Sequence, residues 1–154
     1  MVDTAKGVVR EPGRETPIAA KVDVAVAGGG PGGIGAAIGA ARQGAKTLLI
    51  ERNAFMGGGA TAVAMNTWNV PLENMSGLAR EMADRLIERG AAKASVTFPF
   101  EAEGLKDLAM DMLLEAGAEP LLYSWVVEPL MEGDTVRGVI VQNKSGRQAI
   151  VANV

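Results

Sequence analysis

Two residue types that carry much of enzyme chemistry are missing from this sequence of 154 residues, which contains no Cys and no His. Their absence excludes disulfides, zinc sites built from Cys and His, cysteine nucleophiles and the Ser-His-Asp triad within this chain. No group of carboxylates has the spacing of metal ligands, so the sequence predicts no metal site. Any redox chemistry would have to come from a bound cofactor.

Strong positive charge is also missing. Lys and Arg total 15 against 18 Asp and Glu, a formal net charge of −3. A nucleic-acid-binding protein would show a basic patch, so we expect no nucleic acid as a partner. Hydrophobic residues make up 48% of the sequence but aromatic residues only 4%. A chain of this length can bury a real core, and that core must be built mainly from aliphatic residues and Met.

One uncharged stretch has the minimum length of a membrane-spanning helix. Residues 24–41 lie between Asp23 and Arg42 and carry no charged side chain. They contain Pro31 and seven glycines, however, which is not the composition of a uniformly apolar helix. The first 20 residues are charged and lack the apolar region of a secretory signal. We therefore expect a cytoplasmic protein with no membrane span.

The order of the hydrophobic segments predicts an α/β protein. Residues 1–20 are expected to form an N-terminal arm, because Pro and Gly interrupt a charged segment, and residues 21–154 form the folded domain. A strand, a helix and a second strand have the size of one βαβ unit. Two more helices and a β meander of three antiparallel segments follow. The predicted elements are strands at 22–27 and 46–50, helices at 31–43, 76–90 and 101–116, and meander segments at 120–131, 135–142 and 147–154.

Residues 28–33 (GGGPGG) contain the glycine pattern of a dinucleotide-binding loop. Gly28, Gly30 and Gly33 occupy the three fixed positions of G-x-G-x-x-G. The pattern alone is weak, because glycine-rich turns are common. Here a hydrophobic strand precedes it, a helix rich in small residues follows it, and the next strand ends in Glu51, 18 residues beyond the last glycine. This context is that of the Rossmann fingerprint.

Each position of the motif has a physical reason. Gly28 permits the tight turn out of the strand, and Gly30 lets a pyrophosphate approach the backbone without a Cβ in the way. Gly33 lets the helix lie close to the strand. With Pro31 and Gly32, these residues form a helix N-terminus whose unpaired N–H groups and partial positive charge suit phosphates.

Glu51, at the carboxyl end of the second strand, can accept hydrogen bonds from ribose hydroxyls. The alternatives are a glycine-rich turn without a ligand and a solvated charge at a strand end. The motif by itself leaves open whether the dinucleotide is FAD or a nicotinamide. The helix that follows has a face of small residues, which we expect to lie against the sheet: Gly35, Ala36, Gly39 and Ala40.

The sequence around the motif resembles the N-terminal FAD fingerprint of FAD-dependent oxidoreductases with the glutathione-reductase type of Rossmann fold. The run is DVAVAGGGPGGIGAAIGAARQGAKTLLIERNAFMGGGAT. It is most similar to bacterial FAD-dependent dehydrogenases distantly related to fumarate reductase flavoproteins. In that group the acid is followed by Arg and then by Gly-Gly with a nearby Thr, here Arg52, Gly57, Gly58 and Thr61. The second glycine pair favours FAD, because its loop wraps the flavin-side ribityl and phosphate; the alternative is a flexible surface loop.

The resemblance continues to Val154 and implies a Rossmann-like FAD-binding fold, a parallel sheet with a three-stranded antiparallel meander. It also implies a main-chain contact to adenine at Val126 or its neighbour Val127. Both could equally be core valines, and the two interpretations are compatible because the contact is main-chain. Relatives continue into a second flavin motif of the Ala-Thr-Gly-Asp type and a substrate domain, whereas this sequence stops at residues 152–154. The resemblance therefore covers the N-terminal FAD-binding part only, and the fold is expected to be incomplete.

Together these features predict the FAD-binding portion of a flavin-dependent oxidoreductase that acts on a small organic substrate by hydride or electron transfer. No residue is assigned a catalytic role. The alternative is a non-catalytic dinucleotide-binding or assembly subunit that completes a flavin site with a partner chain. Either function could involve a partner chain or a homo-oligomer. Trp68 and Trp125 could stack on flavin or adenine, but large aromatics of this kind are more often core residues.

Overall fold

The computed structural model describes residues 13–154 and, before them, the backbone of residues 2–3 and 8–9. Those two stretches, β1 (Val2–Asp3) and β2 (Val8–Val9), pair antiparallel. The rest of the predicted N-terminal arm before residue 13 lies outside the described residues. Its last part enters a strand, β3 (Ile18–Val22), so the predicted boundary at residue 20 falls inside a strand. The division into an arm and a domain stays a prediction.

A three-stranded parallel sheet carries the predicted βαβ unit. Its strands are β4 (Val24–Ala27), β5 (Thr47–Ile50) and β8 (Glu119–Leu121), with β5 in the middle. All four residues of β5 are buried, as expected of a central parallel strand with an uninterrupted apolar sequence. The crossover from β4 to β5 contains α1 (Pro31–Arg42). The predicted strand–helix–strand unit is confirmed.

A four-stranded sheet contains the predicted meander. The strands β9 (Trp125–Glu132), β10 (Thr135–Asn143) and β11 (Gly146–Ala152) pair antiparallel in sequence order. The strand β3 adds to the far edge of β11 in the parallel direction. The meander is therefore confirmed, except that the start of the first predicted segment is β8 of the parallel sheet.

The predicted strand at 22–27 is wrong in one respect, because it is two strands in different sheets. Asp23 separates β3 from β4, and it is held by residues distant in sequence. Its N–H donates to the Lys46 carbonyl at 2.9 Å, and its carboxylate accepts the Lys46 N–H at 2.9 Å. Its carbonyl accepts the N–H groups of Asn153 and Val154 at 3.1 and 3.0 Å. These bonds fix a bend that passes the chain from one sheet to the other.

The parallel sheet lies between two hydrophobic cores, because side chains alternate along β5. Leu49 is buried in a core with α1, α3 (Gly77–Glu88) and α4 (Ala102–Glu115). Leu48 and Ile50 are buried on the other side, with Val141 and Ile150 of the meander sheet. The layers are therefore helices, parallel sheet and meander sheet. Within residues 13–154, no helix combines the length and apolarity needed to cross a bilayer.

The glycine-rich segment between β5 and α3 contains three short elements. These are α2 (Gly59–Ala62), β6 (Thr67–Trp68) and a 3-10 helix (Leu72–Asn74). The strand β6 pairs antiparallel with β7 (Phe98–Pro99). The ring of Trp68 stacks on Phe98 with 5.3 Å between centroids, and Phe98 is fully buried. Trp68 is thus a core-packing residue, as expected.

The face of α1 that packs on the sheet differs from the predicted one. Ala36 and Gly39, expected against the sheet, are exposed. The physical reason is the apolar area of two isoleucines on the other side of the helix, whose burial is more favourable than that of glycine or alanine. The buried residues of α1 are Ile34, Ala37, Ile38 and Ala41.

Close approach of α1 to the sheet is needed at one glycine, Gly33. A Cβ added there would overlap the carbonyl oxygen of Gly28, and it would lie 3.0 Å from the carbonyl carbon of that residue. By contrast, a Cβ added at Gly39 would meet nothing within 4 Å. The two glycines of the same helix therefore differ in whether the fold requires them.

We expect Gly33→Ala to lower the free energy of unfolding by about 1–3 kcal/mol, because the overlap with Gly28 forces α1 away from β4. The matched change Gly39→Ala should instead raise it by roughly 0.5–1 kcal/mol, since alanine is the better helix residue at an open position. Urea unfolding followed by circular dichroism measures both. Equal stability of the two variants would contradict this account of helix packing.

An ion-pair network joins the three helices at the surface. The Arg42 guanidinium of α1 donates to both carboxylate oxygens of Glu81 in α3, at 2.7 and 2.8 Å. Arg85 lies 3.5 Å from Glu81 and 2.6 Å from Glu115 of α4. The hydrogen bonds from Arg42 lower the pKa of Glu81 below its usual value. The network therefore stabilises the fold most where Glu81 is ionised.

We expect Glu81→Gln to cost about 0.5 kcal/mol at pH 7, because the pair is partly exposed and screened. A lowered folded-state pKa contributes stability above the unfolded-state pKa and loses it as the pH falls through the folded value. The difference from wild type should therefore shrink as the pH falls from 7 to 3. Urea unfolding at both pH values measures it, with Glu88→Gln, an exposed carboxylate of the same helix, as the control. A cost that persists at low pH would contradict the electrostatic origin.

Candidate functional site

The predicted glycine loop follows the carboxyl end of β4 and leads directly into α1. Gly28 has a φ of +106°, a conformation that other residues rarely adopt, and its N–H donates to the Ile50 carbonyl at 2.8 Å. Gly30 is the N-cap of α1, with extended backbone and no side-chain cap. The first turn of α1 contains no acidic residue. The N–H groups of Gly32 and Gly33 thus lie in the first turn of a helix without a side-chain acceptor, which is a favourable place for an anion.

The glycines of the loop divide into those that the fold requires and those that it does not. Gly33 is required by the contact with Gly28, as described above. Gly30 has a φ of −74°, which suits any residue, and a Cβ added there would meet nothing within 4 Å. Gly32 is likewise open. No atom of residues 13–154 occupies the space above Gly30 and Gly32. We call this space the cradle: a side chain at either position would fill it, and a ligand could use it.

The second predicted glycine segment packs on the first. The Gly57 N–H donates to the Gly29 carbonyl at 2.7 Å, and a Cβ added at Gly58 would lie 3.0 Å from the Gly30 Cα. The Thr61 hydroxyl donates to the Met56 carbonyl at 2.8 Å and is buried. Thr61 therefore holds the turn of this segment together. The alternative of a flexible surface loop does not describe this segment, because main-chain contacts join it to the glycine motif.

Glu51 is buried, with 6% of its surface exposed, and it links the two glycine segments. One carboxylate oxygen accepts the Gly29 N–H at 2.7 Å. The other accepts both the main-chain N–H and the side-chain amide of Asn53, each at 2.8 Å. An ionised carboxylate can accept about four hydrogen bonds, so three protein donors leave capacity for about one more. The alternative of a solvated strand-end charge is wrong.

Sequence reasoning did not single out Gly29 and Asn53. A Cβ added at Gly29 would lie 3.1 Å from the Glu51 carboxylate oxygen and 3.0 Å from Met56, so this glycine keeps room for the acid. The signal in the sequence is weak: Gly29 is one of six residues in a glycine-rich run, and Asn53 lies two positions after the acid, where an amide readily bonds to a neighbouring carboxylate.

A cleft of about 280 Å³ opens where β4, β5 and β9 end or begin. It brings together four of the residues predicted for the site, Gly28, Glu51, Arg52 and Val126. Gly57, Gly58 and Thr61 are outside it, beyond the Gly30 cradle. The remaining lining residues are Ala27, Ile50, Ser124 and Trp125.

The structure places the two candidate valines of β9 in different surroundings. Val126 lines the cleft, whereas Val127 lines a neighbouring hollow. Both are exposed, 39% and 43%, so the interpretation as core valines is wrong. Trp125, expected in the core, is 58% exposed at the cleft wall. The reason is that β9 is an edge strand of the meander sheet, and its first residues are not covered by another layer.

A larger groove of about 540 Å³ lies on the other side of the α1 N-terminus, between α1, α3 and β6. It begins at Pro31 and Gly57, and none of its lining side chains is charged. Thr67 and Asn69 supply its polar groups. The apolar lining includes Ile34, Trp68, Val70, Met75, Leu78, Met82 and Leu105. The helix N-terminus is thus flanked by a small cleft with charged residues and a large apolar groove.

A family model for FAD-dependent oxidoreductases matches residues 23–154. The chain belongs to the FAD-dependent oxidoreductase family. FAD is the cofactor of this family, and the matched residues include both glycine segments and the cleft. The predicted family, the Rossmann-like FAD-binding fold and the preference for FAD over a nicotinamide are confirmed.

Individual proteins share part of the sequence or the fold of this chain. Thiamine thiazole synthase of Methanococcus vannielii is 30% identical over 135 residues, which cover 84% of this chain and 49% of that protein. The crystal structure of THI4 from Thermovibrio ammonificans superposes with a TM-score of 0.63 at 21% identity, covering 86% of this chain and 55% of that one. A flavocytochrome c3 fumarate reductase gives 0.62 at 17% identity, covering 88% and 33%. The two structures show a shared fold, and the chain spans about half the length of the curated relatives it matches.

We expect Glu51→Gln to lower the free energy of unfolding by about 1–3 kcal/mol and to weaken FAD binding about tenfold. The side-chain oxygen of the introduced glutamine can accept the hydrogen bonds from Asn53. Its NH₂ group then faces the Gly29 N–H, and because both groups are donors we expect the loop to shift. Urea unfolding and FAD titration measure the two effects, with Glu88→Gln again as the control. A variant with wild-type stability and wild-type affinity would remove Glu51 from both roles.

Proposed function

We propose that the two glycine segments (residues 28–33 and 57–61), together with Glu51, Arg52 and Val126, hold FAD across the α1 N-terminus. The adenosine end lies in the cleft beside Glu51 and Val126, and the pyrophosphate lies at Gly30, Gly32 and Gly33. The flavin-side ribityl extends along the segment from Gly57 to Thr61. This arrangement follows the order in which the cleft, the cradle and the second glycine segment occur in space.

The observation that carries the proposal is the empty space above Gly30. Its backbone conformation does not require glycine, and its Cβ would touch no protein atom. The fold therefore does not require glycine there, and its conformational freedom is unfavourable for folding. A cofactor that approaches the main chain at this point gives the residue a reason, because a Cβ would exclude it.

The electrostatics of the cradle agree with a pyrophosphate. The first turn of α1 offers the N–H groups of Gly32 and Gly33, while Pro31 has none to offer. The partial positive charge of a helix N-terminus favours an anion by about 0.3–1 kcal/mol at an exposed position and more where water is excluded. The nearby carboxylate of Glu51 already accepts hydrogen bonds from Gly29 and Asn53, and these donors offset part of its negative charge.

We further propose that the whole protein is an oxidoreductase that transfers a hydride or electrons between its flavin and a small organic substrate. The bound FAD would supply the redox chemistry. The residues of this chain would bind and orient it, since the sequence contains neither His nor Cys for acid–base or nucleophilic steps. Substrate-binding residues, and any partner chain or second copy, would add to the site described here.

The experiment is an FAD titration of the purified protein, followed by quenching of flavin fluorescence, with mass spectrometry of the released cofactor. We expect Gly30→Val to weaken binding about 100-fold, or about 2.7 kcal/mol, because the branched side chain fills the cradle. Gly39→Val is the matched control, since it places the same side chain at an open position of the same helix.

Two results would overturn the proposal. One is Gly30→Val that binds FAD as tightly as Gly39→Val while both variants keep the wild-type circular dichroism spectrum. The other is a protein that takes up NAD and leaves FAD in solution.

A further inference from the structure

Trp125, one of the two tryptophans in the sequence, lies at the surface although a large aromatic residue is usually buried. Its ring is 58% exposed and forms part of the wall of the adenosine cleft. The guanidinium of Arg52 lies over this ring, 5.9 Å from its centroid. The same two residues line the neighbouring hollow with Tyr123, Val127 and Lys144. Arg52 and Trp125 therefore form the partition between the cleft and the hollow.

The main chain fixes both members of this pair relative to each other. The Ser124 N–H donates to the Glu51 carbonyl at 2.9 Å, and the Tyr123 N–H donates to the Asn53 carbonyl at 3.1 Å. Tyr123 has a φ of +51°, which is uncommon for a residue other than glycine. The residues immediately before Trp125 are thus held against the residues on either side of Arg52, at the cost of an unfavourable backbone conformation.

The charge of Arg52 is available for a ligand. Within residues 13–154, six other arginines form ion pairs with carboxylates, whereas Arg52 has the Trp125 ring as its neighbour; the six are Arg42, Arg80, Arg85, Arg89, Arg137 and Arg147. A guanidinium is planar and weakly hydrated, so it can lie against one aromatic face while a second aromatic face lies against its other side. Adenine offers such a face, and the cleft below Arg52 is where the proposed function places it.

We propose that Trp125 is a positioning residue which holds the Arg52 guanidinium at the mouth of the cleft, so that the guanidinium lies between the indole ring and the adenine of the cofactor. The inference rests on the proposed function, because it assigns the adenine to this cleft. The inference adds Trp125 to the site as a residue that acts through Arg52. The exposed tryptophan would then favour cofactors that carry an adenine.

A double-mutant cycle on FAD affinity tests this arrangement, because it separates action through Arg52 from independent contacts. We expect Trp125→Ala to raise the Kd about tenfold and Arg52→Ala by at least as much. The double variant should be no weaker than Arg52→Ala alone, since the tryptophan has nothing left to position. Trp125→Phe should stay within about threefold of wild type, because a phenyl ring can still support the guanidinium.

A second readout does not depend on the flavin. In a Trp68→Phe background Trp125 is the remaining tryptophan, so its fluorescence reports on the cleft. Titration with ADP, which carries the adenosine and pyrophosphate, should change the intensity or position of its emission. The same titration in Trp68→Phe/Arg52→Ala should give a smaller change at saturating ADP.

The outcomes are distinguishable. If the wild-type protein binds neither FAD nor ADP, the proposed function and this inference are both overturned. Wild-type FAD binding with an unchanged Kd in Trp125→Ala would overturn the inference alone. Additive effects of the two alanine substitutions would also overturn it, because they would mean that Trp125 contacts the cofactor or stabilises the fold without acting through Arg52.

Discussion

The close contact between Gly33 and the carbonyl of Gly28 determines where the rest of the site can be. Because no Cβ separates them, α1 starts directly at the end of β4, and its first N–H groups lie at the carboxyl edge of the parallel sheet. The segment after β5 then rests on this helix start through Gly29 and Gly30. The positions of the cradle, the second glycine segment and the cleft therefore depend on this one steric requirement in the contact between sheet and helix.

Glu51 joins the glycine motif to the segment after β5 with hydrogen bonds and places a polar group at the edge of the cleft. A buried carboxylate is unfavourable unless its oxygens are hydrogen-bonded, and here Gly29 and Asn53 supply three donors. The same bonds set the direction of the carboxylate before a ligand arrives, which reduces the ordering that binding would otherwise require. The residue therefore has a role in the stability of the loops in addition to the ribose contact predicted from the sequence. The two roles are coupled, so a change at Glu51 affects both.

The sequence was sufficient where local patterns decide the structure and insufficient where distant residues do. The βαβ unit, the amphipathic α4 and the meander follow from hydrophobic periodicity and turn residues within short windows. The bend at Asp23 depends on Lys46 and Val154, which lie far along the chain. The positions of Trp125 and Val126 depend on β9 being an edge strand, a property of the sheet order that no local pattern contains.

The two spaces beside the α1 N-terminus differ in charge and in size. The cleft contains the charged residues Glu51 and Arg52, which suit a sugar and a base. The groove that starts at Pro31 and Gly57 has no charged lining residue and is almost twice as large. Polar groups fix orientation, while apolar surface contributes affinity with little directionality. In the proposed arrangement, the residues described here would therefore orient FAD mainly through its adenosine end.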